Sequence, residues 1–75
     1  MNKYVVAVCD VDTSWIEVYN ATSINLAQEK LMNSICNRFD LDNPYNYKEF
    51  LNLADDNDII IGDLVDIETL WPNIH

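Results

Sequence analysis

The stretch Cys9-Asp10-Val11-Asp12-Thr13-Ser14-Trp15 places oxygen-bearing side chains at Asp10, Asp12 and Ser14, spaced i, i+2, i+4. A calcium loop begins with that spacing. It also requires a glycine at its sixth position and a bidentate glutamate at its twelfth. Counted from Asp10, those positions hold Trp15 and Ala21. A second acidic run, Asp55-Asp56-Asn57-Asp58, fails in the same way: from Asp56 the sixth residue is Ile61 and the twelfth Ile67. The first stretch therefore reads as the polar tip of a hairpin that carries negative charge, and no metal site is assigned.

Other chemistries find little material. The single histidine is His75, the last residue, so no Ser-His or Cys-His pair can be drawn from rigid elements. One glycine cannot supply a phosphate-cradling loop. Cys9 and Cys36 are too few for a disulfide framework and wrongly spaced for zinc. Each sits among apolar neighbours and reads as a small buried hydrophobe. Carboxylate pairs are inevitable where thirteen acids occur in 75 residues, so they do not single out an acid–base couple. Neither a catalytic residue nor a cofactor is expected.

What the charges can do is set by their sum. Thirteen acids against four bases leave a net charge of −9. Binding to phosphates needs clustered Lys and Arg, so direct contact with nucleic acid or an anionic membrane is not expected. A basic protein surface is the natural partner, because acids spaced along a surface imitate phosphates and steer association. The candidate partner-binding residues are Asp10, Asp12 and Glu17 on the hairpin, with Asp55, Asp56, Asp58, Asp63, Asp66 and Glu68 further on. From Asp55 to Glu68 there are six acids and no base. An ordinary solvated rim that serves solubility is the competing reading.

The elements that must position these acids follow from periodicity. Residues 1–75 form one small domain, short enough to bury only about 60% of the surface its unfolded chain exposes. Lys3 to Val11 is apolar on both parities, as suits a central strand covered on both faces. Trp15 to Ala21 alternates, with Ile16 and Val18 on one side and Trp15, Glu17 and Tyr19 on the other. Residues 1–21 thus read as a hairpin. Ile24, Ala27, Leu31, Ile35 and Phe39 then recur at helical spacing behind a Ser23 cap, with Met32 and Cys36 widening the stripe. Pro44 stops that helix. Asn46 and Glu49 form a capping box for a second, with Tyr47, Phe50, Leu51 and Ala54 on its apolar side. Two helices are thereby placed in residues 22–55. A third strand falls in 56–69, with Gly62 as a bulge, and residues 70–75 form a tail.

The order β-β-α-α-β predicts an α+β fold, a three-stranded antiparallel sheet with both helices on one face and the first strand in the middle. If the helices cover Ile16 and Val18, then Trp15 and Tyr19 face outward. Self-association through that aromatic pair, most simply as a homodimer, is the expectation. Refolding of the Leu70-Trp71 tail over the same face is the alternative. No apolar run approaches the ~18 residues that span a bilayer, and the N-terminal apolar run is too short for a signal peptide. A soluble, cytoplasmic protein is expected.

In size and acidity, in its abundant Asn and Ile and scarce Gly, Pro and Arg, and in its lack of catalytic residues, the chain resembles the small acidic inhibitors that phages make against host or defence machinery. The resemblance implies a non-enzymatic inhibitor that occupies a basic or nucleic-acid-binding site of a bacterial protein. A homo-oligomer that sequesters a nucleotide is the alternative, with Lys3, Lys30, Arg38 and Lys48 as its only cationic groups. A regulatory or structural module whose acidity serves solubility alone is the other.

Overall fold

The computed structural model describes residues 2–70. Its elements are β1 (Asn2–Cys9), β2 (Ser14–Ala21), α1 (Ile24–Phe39), α2 (Tyr47–Asp56), β3 (Ile60–Ile61), β4 (Val65–Asp66) and the short α3 (Ile67–Leu70). The α+β class, the antiparallel sheet and the two main helices agree with the sequence-based expectation. So does the central strand: β1 lies between β2 on one side and β3 with β4 on the other.

The third strand expected in 56–69 is split in two and is shorter: residue 56 still belongs to α2, and Ile67–Leu70 form α3 behind the Asp66 cap, in place of the end of a strand and the start of a tail. β3 pairs Ile61 with Val8 and Ile60 with Cys9, whereas β4 pairs Val65 with Val5 and Asp66 with Tyr4. Between them the pairing slips by one residue, so β3 and β4 are one edge strand interrupted by a bulge. Gly62 sits where the interruption begins. Its N–H donates to the Ala7 carbonyl at 2.8 Å, and a Cβ there would lie 3.2 Å from that oxygen. A side chain at this point would press on the central strand.

Local rules shape the rest. The Ser23 hydroxyl accepts from the Leu26 N–H at 3.2 Å and caps α1. Asn46 accepts from the Glu49 N–H at 2.9 Å, and the Glu49 carboxylate reaches back to the Tyr45 N–H, one residue beyond the reciprocal contact of a capping box. Pro44 is not the residue that ends α1. The helix closes four residues earlier, where Asp40 takes the left-handed conformation (φ 55°) and the Leu41 N–H bonds back to the Cys36 carbonyl. α2 ends alike, with Asp58 left-handed (φ 60°) and the Ile59 N–H on the Ala54 carbonyl. These are Schellman closures with aspartate where glycine is usual.

The core lies between the sheet and the helices. Val6, Val8, Leu31, Ile35, Cys36, Phe50, Ala54 and Ile59 form its main cluster, and Tyr4, Ala21 and Ala27 a smaller one. Trp15 and Tyr19 pack against the main cluster, and this corrects the orientation expected of β2. The sheet turns Trp15, Glu17 and Tyr19 toward the helices, while Ile16 and Val18 stay 67% and 52% exposed. The register shows why. Trp15, Glu17 and Tyr19 stand opposite Val8, Val6 and Tyr4, the inward residues of β1. Two aromatic rings offer more apolar area to bury than Ile16 and Val18 do. The premise for a dimer through Trp15 and Tyr19 is thereby removed. Residues 71–75, including Trp71 of the expected tail, lie outside the described residues.

Candidate functional site

The hairpin tip is built by Asp10. Its N–H donates to the Thr13 carbonyl, and its carboxylate accepts from the backbone N–H groups of Asp12 and Thr13, each at 2.8 Å. Those amides, with Arg38 adding a smaller attraction, hold the Asp10 carboxyl below its ordinary range. Val11 is thrust into solvent at the tip, 80% exposed.

Folding brings that tip beside the closing turn of α2. Asp10, Val11, Asp55, Asp58, Ile59 and Ile60 line one shallow hollow of about 340 Å³. Its rim is acidic. Its exposed apolar part is Val11 and Ile60, the latter 66% exposed. The two ends of this patch, residues 10–11 and 55–60, are far apart in the chain, so their union is a product of the sheet register: Cys9 pairs with Ile60 and delivers the tip to the turn. The apolar members were not read from the sequence as part of a site. The signal that could have found them is the parity of β3, which sends Ile61 inward and Ile60 out.

The other sequence-predicted acids scatter. Asp12 is exposed at the tip next to the hollow. Asp56 faces a different depression, with Asp42, Pro44, Glu49 and Leu53. Asp63 lines a third, beside Tyr47, Leu51 and Leu64. Burial and the nearby Asp63 charge together raise the Tyr47 hydroxyl above its ordinary range. Asp66 is half-buried and accepts from the Glu68 N–H at 2.9 Å, which caps α3; Glu68 itself is exposed.

Glu17 does not belong to an acidic surface at all. It lies on the packed side of the sheet and accepts from Trp15 Nε1 at 2.7 Å, from Ser34 Oγ at 2.8 Å and from the Tyr19 hydroxyl. Arg38 stacks over the Trp15 ring, 4.1 Å from its centre, and Phe39 stacks on the same indole. Burial pushes the Glu17 carboxyl up, but the three donors and the Arg38 charge outweigh it, so the group titrates below its ordinary value. Burial and the bond to Glu17 raise the Tyr19 hydroxyl far above its own. The pair is a locked structural network: Tyr19 stays a donor and Glu17 an acceptor.

Among the described residues, no three His, Cys, Asp or Glu side chains are grouped to hold a metal ion. Cys36 is buried, which raises its thiol, and Cys9 is half-buried on the opposite sheet face. No helix among the described residues is long and apolar enough to cross a membrane. No protein-family model, curated protein or solved structure matches the chain.

Proposed function

We propose that the protein is a non-enzymatic binding protein whose working surface is the end formed by the hairpin tip and the α2 turn. The carrying observation is the hollow where Asp10, Asp55 and Asp58 surround Val11 and Ile60. An interface needs apolar contact at its centre and polar groups at its rim. Carboxylates on that rim select a basic partner and speed its encounter. The chain's net charge of −9 supports the same choice by steering basic proteins toward it over a distance set by salt. The partner class is a bacterial protein with a basic or nucleic-acid-binding surface, and the protein's role is to occupy that surface, in the manner of the phage-made inhibitors it resembles.

Charge and apolar contact can be separated by experiment. Tagged protein is used to capture partners from bacterial lysate at about 50 mM and about 500 mM salt, and each captured protein is then tested with purified variants. Asp55→Lys with Asp58→Lys is expected to weaken binding of the main partner by about tenfold or more, chiefly through the association rate. Val11→Ser is expected to weaken it through the dissociation rate. Captured proteins that are neither basic nor salt-sensitive would sink the reading.

A further inference from the structure

Among the described residues one edge of β2 is unpaired, and its polarity can be read from one hydrogen bond. The Gly62 N–H donates to the Ala7 carbonyl, so Ala7 turns its backbone groups toward β3. The backbone groups of one strand residue point to one side, and successive residues alternate. Tyr4, Val6 and Val8 therefore bond to β2, through Tyr19, Glu17 and Trp15. Ser14, Ile16, Val18 and Asn20 must turn their N–H and C=O groups away from β1. Asn20 agrees, since its carbonyl accepts Lys30 Nζ at 2.6 Å. Among the described residues β2 pairs with β1 alone.

Natural sheets blunt such edges with proline, lysine, bulges or very short strands. The far edge of this sheet is blunted: β3 and β4 have two residues each, with a bulge between them. β2 is not. It has eight residues, a regular register throughout and neither proline nor lysine. Ile16 and Val18, which hold the free backbone groups, also carry exposed apolar side chains.

We propose that β2 pairs antiparallel with β2 of a second copy, through the backbone groups of Ser14, Ile16 and Val18. The local placement of charge along the edge selects a second copy as the occupant, while salt screens the overall repulsion between two chains of net charge −9. Asp10 and Asp12 lie beyond the Ser14 end of β2. At the other end, Lys3 stands opposite Asn20 and Lys30 is bonded to its carbonyl. Two antiparallel copies bring the basic end of each against the acidic end of the other, twice over. Glu17, the only charged residue of β2, is held on the packed side by its three donors. A register centred on Ile16 sets Glu17 opposite Trp15 of the second copy and avoids like charges face to face. It also sets Asn20, with its Lys30, opposite Asp12. The pairing adds about six backbone hydrogen bonds. Because the described residues offer only one long free edge, the arrangement closes as a two-fold dimer and does not propagate. It is independent of the acidic hollow as a binding site.

The test combines sedimentation velocity with amide exchange followed by NMR, from about 10 µM to about 1 mM protein. Expected is a monomer–dimer equilibrium in which the Ile16 and Val18 amides gain protection as dimer forms. The Glu17 and Tyr19 amides, bonded to β1, should be protected at every concentration. Ile16→Lys should weaken dimerisation by about tenfold or more while the Glu17 and Tyr19 amides stay protected, which shows an intact hairpin. Lys30→Glu should weaken it too, and adding Asp12→Lys should restore it. Three results would overturn the proposal. One is a monomer across the whole range. Another is a dimer with Ile16 and Val18 unprotected, which places the contact elsewhere. The last is protection of both amides in a monomer, which means that the chain covers its own edge.

Discussion

A carboxylate on the packed face of a sheet costs desolvation energy unless its oxygens are matched by donors. Glu17 meets that demand with an indole N–H, a phenol and a serine hydroxyl from a different element. The match is one of shape: Trp15 and Tyr19 flank it on the same side of β2, and Ser34 descends from α1. The consequence for pH has a definite sign. The carboxyl titrates below its ordinary value of 4.5 when folded, so it contributes stability that is complete above that value. That contribution is lost as pH falls through the lowered, folded-state value. Urea denaturation of the wild type and of Glu17→Gln at a series of pH values reads the effect. The wild type is expected to be the more stable at pH 7, and the gap should narrow as pH drops below about 4.5. A gap that widens in acid would show that Glu17 is strained and not satisfied.

Each helix is bounded by a signal that the local sequence carries, but not always by the residue first expected. Asn46 and Ser23 cap α2 and α1 as their types foretell. The C-terminal ends are less conventional, because Asp40 and Asp58 take conformations in which a Cβ meets the following carbonyl. Aspartate tolerates this better than most residues, since its short side chain can bond locally. At α2 the position also adds negative charge where the helix dipole is already negative. Asp58→Gly removes both costs and should raise stability by about 1 kcal/mol, seen as a higher urea midpoint with an unchanged slope. No gain would mean that the Asp58 side chain supports the turn. The same residue lines the acidic hollow, so a stabilised variant that binds its partner less well would separate fold from function.

The body formed by the described residues is thin. Its extents are 38 × 26 × 17 Å, one sheet with one layer of helices, and its outward sheet face is left to Val5, Ala7, Ile16, Val18, Ile60 and Val65. A core of this size leaves a small margin over chain entropy. Against that margin works a net charge of −9, whose self-repulsion favours the expanded chain. Salt screens that repulsion over about 10 Å at 0.1 M. Raising sodium chloride from about 20 mM to about 500 mM should therefore raise the urea midpoint, measured at a protein concentration where the chain is monomeric. A midpoint that falls with salt would show that attractive pairs such as Arg38 with the Asp10 and Glu17 carboxylates dominate.

The type and order of the first four elements were legible in the residues alone, because hydrophobic periodicity and capping residues are local properties; the division of the third strand and the short α3 that follows it were not. The alternation of β2, the stripe Ala27–Leu31–Ile35, the Asn46 cap and the slip near Gly62 all announce themselves within a few residues. What the alternation of a strand cannot state is which parity faces the helices. Both sides of β2 are apolar enough to be buried, and the choice falls to the sheet register and to the donors that α1 brings to Glu17. Only the tertiary structure could set Trp15 and Tyr19 inward and leave Ile16 and Val18 on an edge that is unpaired among the described residues. The acids followed the same division. Their number and sign were plain from composition, which determines the long-range field. Their grouping was not, since Asp10 and Asp58 meet only when β3 pairs with β1, and that contact lies beyond the reach of any local pattern.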